Sequence, residues 1–208
     1  MSVKVLRIRR GGHRSTIAPA VPLTFLTTPR LRLQTLRPDD ASEDYLAWLN
    51  DPEILRFRGP KAFPSTMDDL KAYLSSLKAR GDVALAMFLK DDGRHIGTIT
   101  LNSILWVHRT AELSMMIGAK DVWGQGYAKE AIEALAVHAF GAMGLHRLWV
   151  ESPHPAFNRA VRSLGWTHEG TKRRAFLLDG RFVDIECYGL LKDEFLRRQG
   201  AGDDARVD

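Results

Sequence analysis

Hydrophobic and polar residues recur along the chain with the periods of strands and helices. Residues 31–36, LRLQTL, alternate apolar and polar side chains and predict a half-buried strand. A helix ending near residue 50 follows, and a second helix begins after Thr66, which together with Asp69 resembles a capping box. The later segments predict strands at residues 83–89, 95–104 and 111–118, a helix at 127–143, a strand at 146–152, a short helix at 156–165, and strands at 166–178 and 181–191.

The order of these elements predicts one mixed α/β domain. Two helices come early, two come late, and strands fill the remainder. The length of 208 residues and the hydrophobic content of 45% suit one domain with a substantial core. We expect a basic, irregular leader over residues 1–25, a folded domain over residues 26–197 and a disordered tail over residues 198–208.

The net charge of +5 belongs to the leader rather than to the folded domain. Without the basic residues of positions 1–14, the chain has 30 − 5 = 25 basic residues against 25 acidic ones. The residues removed in this count are Lys4, Arg7, Arg9, Arg10 and Arg14. A basic arm can contact phosphates, but a terminus of this kind is usually solvated, so we expect no nucleic-acid partner.

Apolar runs are short in this chain, and cysteine is rare. No run approaches the roughly 20 apolar residues that span a bilayer, so we expect no membrane partner. Cys187 is the only cysteine, which excludes an intramolecular disulfide and favours the cytoplasm. No spacing of His and Cys residues indicates a metal site.

The segment KDVWGQGYAKEAIEALAVHAF, residues 120–140, joins a predicted strand to a helix through Gly124 and Gly126. The first turn of a helix presents unpaired N–H groups and a partial positive charge, and glycines let a ligand approach the backbone. Such a junction suits a phosphate group. A tight turn into a buried helix explains the same glycines without a ligand, so the pattern alone leaves both interpretations open.

The same loop resembles the acetyl-CoA pyrophosphate loop of the GNAT N-acetyltransferase superfamily, whose pattern is [Gln/Arg]-x-x-Gly-x-[Gly/Ala]. Gly126 and Ala128 match this pattern, and Trp123 stands where Gln or Arg is usual. The form W-G-x-G-Y-A-x-E-A is typical of the Rim-type branch, which includes ribosomal-protein N-terminal acetyltransferases. The segments TPRLRLQTLRPDD, WLNDPEI, GLHRLWV and DGRFVDIECYGLL resemble further parts of that branch, so the likeness covers about residues 29–195.

The resemblance implies the GNAT fold, a mixed and strongly twisted sheet of about seven strands flanked by about four helices, with its fourth and fifth strands splayed apart. It implies acetyl-CoA as the cosubstrate and no metal. The strand before the loop then lies beside pantetheine through Met115, Met116 and Ile117. The cofactor-binding residues expected in the loop itself are Trp123, Gly124, Gln125, Gly126, Tyr127 and Ala128.

A second segment, HPAFNRAVRSLGW at residues 154–166, resembles the family sequence N-P-A-S-N-R-V-L-E-K-L-G-F. The likeness implies that His154, in place of the usual Asn, and Asn158 contact the cofactor arm. Other members carry a general-acid tyrosine at the position of Val161. We therefore expect the CoA thiolate to leave directly or with a proton from water.

Glu112 is the candidate catalytic residue. It precedes Gly126 by 126 − 112 = 14 residues, the spacing of a general-base glutamate in some family members. An ammonium group cannot attack a thioester, so a base must first remove its proton. A partly apolar strand would raise the pKa of this carboxylate and suit it to that role. A structural glutamate paired with an arginine such as Arg109 is equally compatible with the sequence.

The resemblance implies an enzyme that moves an acetyl group from acetyl-CoA to a primary amine by direct attack in a ternary complex. We expect the acceptor to be a protein N-terminal α-amine of ribosomal-protein type. An amino-sugar or a polyamine is the alternative, because residues 106–112, WVHRTAE, also resemble polyamine acetyltransferases. A non-catalytic acyl-CoA-binding sensor is a further alternative, suggested by the substitutions at His154, Phe157 and Val161. We expect a monomer or a homodimer.

Overall fold

The computed structural model describes residues 24–58 and 63–204, so most of the predicted leader lies outside the described residues. The strands are β1 (Thr24–Thr27), β2 (Leu31–Thr35), β3 (Val83–Leu89), β4 (His95–Leu105), β5 (Thr110–Ile117), β6 (Arg147–Ser152), β7 (Thr167–Leu178) and β8 (Arg181–Leu191). The α-helices are α1 (Glu43–Asn50), α2 (Pro52–Leu55), α3 (Met67–Arg80), α4 (Tyr127–Phe140), α5 (Pro155–Ser163) and α6 (Lys192–Asp204). Short 3-10 turns lie at Pro38–Asp40 and Lys120–Val122.

The strands form one mixed sheet in the order β1-β2-β3-β4-β5-β6-β8-β7. Neighbouring strands are antiparallel except for β5 and β6, which run parallel. Their ladder begins where Thr110 pairs with Arg147 and ends where Glu112 pairs with Trp149. Beyond that point the two strands separate, so the predicted splay between these two strands is confirmed.

The element count differs from the prediction at both ends of the described chain. The sheet has eight strands rather than about seven. The extra strand is β1, which pairs with β2 and begins at Thr24, inside the predicted irregular leader. Its residue Phe25 contacts the ring of His138 on α4, with 4.7 Å between ring centroids. Pairing with β2 and contact with α4 thus order a segment that the nearby prolines made look irregular.

Six α-helices occur in the described residues instead of the predicted four. The single-turn helix α2 is capped by Asp51, whose carboxylate accepts bonds from the N–H groups of Glu53 and Ile54. The other addition, α6, runs through Asp204, so the tail predicted from residue 198 begins as helix. Phe195 anchors α6 because it is 3% exposed and packs on Phe140, 5.3 Å away between ring centroids.

The sheet separates two hydrophobic clusters, and β5 contributes to both. Leu113 belongs to the larger cluster, which includes the buried face of α4, whereas Met116 belongs to the cluster with α1 and α3. Side chains alternate between the faces of a strand. Glu112 and Ser114 therefore share the face of Met116, on the side of α1 and α3.

Within the described residues, no helix is long and apolar enough to cross a membrane. The same part of the chain holds no group of three or more His, Cys, Asp or Glu side chains placed to bind a metal ion.

Candidate active site

The separation of β5 from β6 exposes one backbone edge of β5. The carbonyl of Met115 accepts a hydrogen bond from Arg58 Nη1 at 2.9 Å, and the carbonyl of Ile117 accepts one from Trp123 Nε1 at 3.0 Å. The N–H and C=O of one residue in a strand point to the same side. Met115 and Ile117 therefore direct their N–H groups toward the opening as well, where an amide-bearing ligand can add to the sheet edge.

Met116 is directed differently from its two neighbours. It pairs with Thr98 of β4, and its carbonyl lies against Gly97 on the same strand. Its side chain is 5% exposed within the core. Because backbone groups alternate along a strand, the structure brings Met115 and Ile117 to the opening but turns the backbone groups of Met116 away from it.

Left-handed backbone shapes the loop after β5. Gly124 has φ +78° and Gly126 has φ +86°, conformations that side chains with a Cβ disfavour. The N–H of Gln125 reaches the carbonyl of Val122 at 3.4 Å, and Gln125 Nε2 donates to the carbonyl of Asp121 at 2.8 Å. The loop therefore turns sharply into α4 and is closed by its own hydrogen bonds.

Gly126 is the N-cap of α4, and no side chain caps this helix. Tyr127 and Ala128 form its first turn, and the first intrahelical bond runs from the N–H of Glu130 to the carbonyl of Gly126 at 3.2 Å. The preceding N–H groups and the helix dipole are thus available to an anion. The indole of Trp123 instead folds back onto Ile117, so the structure gives that side chain a role in the loop.

The start of α5 is built differently. His154 is its N-cap and accepts the N–H of Ala156 on Nδ1 at 3.2 Å, while its own N–H donates to Ser152 Oγ at 2.9 Å. Burial, followed by the charge of Arg159, lowers the pKa of His154. A neutral imidazole is the form that can accept through Nδ1, so the observed cap and the direction of the pKa shift agree.

Asn158 is 6% exposed on α5, and one of its two polar atoms is unsatisfied. Its Nδ2 donates to the carbonyl of Ser152 at 3.2 Å, whereas its Oδ1 has no hydrogen-bond partner among the described residues. Native structures rarely leave a buried acceptor unpaired. A donor on a bound molecule, such as a pantetheine amide N–H, would satisfy this atom. The residues present therefore fit acetyl-CoA.

Glu112 lies at the last residue of β5 that pairs with β6, on the face of α1 and α3. It is half-buried and forms no ion pair in the described part of the chain, so the alternative pairing with Arg109 is not found. Burial raises the pKa of Glu112, and the neighbouring carboxylate of Glu151 raises it further, while Lys172 opposes both effects. A carboxylate in this environment is a stronger base than an exposed one.

A cleft of about 920 Å³ opens on this face of the sheet. Asn102, the β4 partner of Glu112, lines it and donates from Nδ2 to Ser114 Oγ at 2.8 Å. Both carboxylates of the cleft lining are engaged. Asp82 pairs with Arg80 at 2.6 Å, and Asp69 accepts the N–H and hydroxyl of Thr66 at 2.8 and 2.7 Å, which confirms the capping box.

Three consecutive residues after α2 bridge elements around the opening. Arg56 Nε donates to Asp179 on the β7–β8 turn at 3.0 Å. Phe57 packs on His154 with 4.3 Å between ring centroids, and Arg58 bonds Met115 on β5. Sequence reasoning missed this bridge, because it joins residues that are 57 to 123 positions apart in the chain.

Val161 occupies the position at which other family members carry a general-acid tyrosine, and it lies in the core rather than at the cleft. Val161 is 0% exposed and belongs to the core cluster that contains α4. A side chain at this position is enclosed by apolar neighbours. Protonation of a leaving thiolate therefore depends on other groups or on water.

Residues 30–166 match the model of the acetyltransferase (GNAT) domain family. The chain belongs to this family. An uncharacterized N-acetyltransferase of Bacillus licheniformis, p20, is 28% identical over 82% of this chain and 97% of its own length. A spermidine N(1)-acetyltransferase of Vibrio cholerae is 27% identical over 56% of this chain and 69% of that protein.

Solved structures agree with this assignment of the fold. The spermidine N-acetyltransferase of Vibrio cholerae, crystallised with CoA and spermine, superimposes with a TM-score of 0.72 at 21% identity. The match covers 80% of this chain and 98% of that one. The protein is thus a GNAT-fold N-acetyltransferase that uses acetyl-CoA.

Proposed function

We propose that the protein acetylates a primary amine by direct attack in a ternary complex, with Glu112 as the general base. The observation that carries this proposal is the place of Glu112, at the point where β5 and β6 separate. It lies on the cleft face, has no ion-pair partner among the described residues and has a raised pKa. These properties suit a group that takes a proton from an incoming ammonium.

Two further segments of the chain bind the cosubstrate in this proposal. Acetyl-CoA supplies the activated thioester. The first turn of α4, from Gly126 to Ala128, holds the pyrophosphate through backbone N–H groups. The exposed edge of β5 at Met115 and Ile117 holds the pantetheine arm and polarises the thioester carbonyl. Holding both reactants in one cleft supplies much of the rate acceleration.

We propose a protein N-terminal α-amine of ribosomal-protein type as the acceptor. The carboxylates that line the cleft are already paired or hydrogen-bonded, and two arginines, Arg58 and Arg80, also line it. A cleft with these charges disfavours a polycation as the acceptor. Leu105 lines the cleft, and the adjoining Trp106 and Val107 are 59% and 91% exposed, which gives apolar contacts to the residues behind an N-terminus. An α-amine has a pKa near 8, so a weak base is sufficient. The Rim-type loop sequence supports the same choice.

A polyamine is the second candidate. The likeness to the Vibrio cholerae spermidine N-acetyltransferase favours it. Its amines have pKa values near 10.4 and demand more of the base than an α-amine does. It also needs acidic side chains at a distance from the reacting nitrogen, and Glu151 on β6 and Glu186 on β8 are candidates for this role.

A panel of amines with thiol detection tests the acceptor. N-terminal peptides, spermidine and amino-sugars are compared by kcat/KM at fixed acetyl-CoA concentration. We expect peptides to exceed spermidine, and Trp106→Ser to lower kcat/KM for peptides only. A preference for spermidine would overturn the polypeptide acceptor. Tight acetyl-CoA binding without turnover on any amine would indicate a sensor.

Glu112→Gln tests the general base. We expect kcat to fall by roughly 100-fold or more, with acetyl-CoA affinity unchanged. The parent loses activity as the pH falls through the raised pKa of Glu112, because the base becomes protonated. The variant depends on amine that deprotonates by itself, so its profile moves to higher pH. An unmoved profile would refute the assignment.

Glu151→Gln is the matched control. Glu151 lies on β6 near Glu112 and already pairs with Lys172. We expect this variant to keep most of kcat and to shift the acid limb of the profile downward, because it removes a charge that raises the pKa of Glu112. A loss of kcat as large as that of Glu112→Gln would mean that neither carboxylate acts alone.

A further inference from the structure

Arg30, the residue before β2, contacts the loop before α4. Its Nη1 donates to the carbonyl of Gln125 at 3.0 Å, and its guanidinium lies over the ring of Tyr127, 4.2 Å from the centroid. Its Nη2 is 3.6 Å from the position that a Cβ on Gly126 would take. One side chain therefore contacts Gln125 and Tyr127 and lies beside Gly126 between them.

Glu130 fixes Arg30 in that position. Its Oε2 accepts from Arg30 Nε at 2.7 Å, and its Oε1 accepts from the backbone N–H of Arg30 at 2.8 Å and from Thr28 Oγ1 at 2.5 Å. The carboxylate belongs to α4 itself, so the arginine is anchored to the helix whose N-terminus it borders. The guanidinium has little freedom to leave the Gln125 carbonyl.

The bond to Gln125 has a geometric consequence for Gly126. A trans peptide is planar, with its C=O and the following N–H pointing in opposite directions. Because Arg30 draws the Gln125 carbonyl toward itself, the N–H of Gly126 points away from Arg30. That N–H then joins those of the α4 first turn on the side open to an anion.

We propose that Arg30 is a positioning residue for the pyrophosphate loop. It holds the Gln125–Gly126 peptide in the orientation that presents the Gly126 N–H to phosphate oxygen. The inference rests on the proposed placement of the pyrophosphate at this loop. Arginine is required because its planar fork serves Glu130 and Gln125 at once while its face stacks on Tyr127, which a lysine cannot do.

The experiment compares ligands with and without the pyrophosphate. The dissociation constant of CoA is measured by calorimetry, and kcat/KM is measured with S-acetyl-pantetheine, which lacks the nucleotide. We expect Arg30→Lys, which keeps the positive charge, to weaken CoA about tenfold and to leave kcat/KM with S-acetyl-pantetheine within about twofold of the parent. Equal losses for both ligands, or no loss for CoA, would overturn the proposal.

Arg94→Lys is the matched control. Arg94 borders the same loop through Asp121, at 2.6 Å from Nη2, but does not contact the Gln125–Gly126 peptide. We expect it to keep the parent affinity for CoA. A tenfold loss in this variant would show that any charge near the loop matters and would contradict a specific role for Arg30.

Two further variants separate the possible failures. Should Arg30→Lys fold poorly, Glu130→Gln keeps the arginine and loosens only its anchor, and we expect a smaller loss of CoA affinity with no loss for S-acetyl-pantetheine. Gly126→Val tests the loop itself in the same assay. Loss of CoA affinity in Gly126→Val but not in the Arg30 and Glu130 variants overturns the role of Arg30 alone, whereas retention in all of them overturns the pyrophosphate site.

Discussion

The starts of α4 and α5 flank the opening between β5 and β6 and are capped in opposite ways. α4 begins at Gly126, with left-handed backbone and no side-chain cap. α5 begins at His154, whose ring accepts the N–H of Ala156, and Pro155 removes one further donor from its first turn. α4 keeps its first-turn N–H groups for an external anion, whereas the His154 cap and Pro155 take two of those positions from α5.

The α5 end offers an acceptor instead of donors. Asn158 Oδ1 is buried without a partner among the described residues, one turn into the helix. A phosphate needs donors, whereas an amide N–H needs an acceptor. This difference between the two helix ends is consistent with the proposed binding mode, which has the pyrophosphate of acetyl-CoA at α4 and the pantetheine arm passing Asn158.

Among the variants that test this comparison, Gly126→Val is expected to have the largest effect on acetyl-CoA affinity. Valine is strained at φ +86°, so its backbone should leave this conformation and move the N–H groups at the start of α4 out of position. We expect acetyl-CoA affinity to fall by at least about 100-fold, which is roughly 2.7 kcal/mol. Calorimetry measures this directly.

Gly144→Val is its control, because Gly144 also has positive φ, +65°, with no atom within 4 Å of an added Cβ. It lies in the turn after α4, so its backbone strain is comparable but remote from the loop. Acetyl-CoA affinity should survive in this variant. Retained affinity in Gly126→Val, or equal losses in both, would remove the α4 end from the cofactor site.

Asn158→Leu is expected to have an intermediate effect on acetyl-CoA affinity. It removes the unpaired Oδ1 and also the Nδ2 bond to the Ser152 carbonyl, so the free protein should lose about 1 kcal/mol of stability. Losing one hydrogen bond to acetyl-CoA should weaken binding by about five- to tenfold. Asn50→Leu, which removes the bonds of α1 to Ser65, should leave affinity unchanged. Unchanged affinity in Asn158→Leu would mean that Oδ1 meets no donor of the cosubstrate.

Local patterns in the sequence predict the elements that form this site. Alternation in LRLQTL predicts β2, the strand-like segment AELSMMIG predicts β5, and glycines before an apolar helix predict the loop at Gly126. The fold and the cosubstrate depended on the motif resemblance, which the family match supports. The backbone groups of Met115 and Ile117 point toward the opening, and those of Met116 point toward β4. These directions follow from the register between β4 and β5, which the sequence spacing does not reveal.

Contacts between distant segments escaped prediction. Arg30 lies 95 residues before Gln125. In the sequence, nothing distinguishes it from any other charged residue next to a strand. The bridge from Arg56 to Arg58 depends on how α2 folds over the opening. The sequence pattern predicts a tail from residue 198 and no C-terminal helix, whereas buried Phe195 keeps the helix in place. Tertiary packing determined each of these features.

His154 is expected to have the smallest effect on cofactor affinity, and its variants test whether α5 is capped internally. His154→Ala removes the cap and should cost about 1 kcal/mol of stability, whereas His154→Asn keeps a capping side chain. The pKa of His154 is lowered in the folded state, so its stabilisation is complete above the unfolded-state pKa and is lost as pH falls through the folded pKa. The parent should therefore lose Tm relative to His154→Asn on acidification. Acetyl-CoA affinity should stay within about threefold in both variants because His154 uses its Nδ1 to cap α5 and not to hold the ligand. A loss above tenfold would show that His154 contacts the cofactor and that both helix ends bind it.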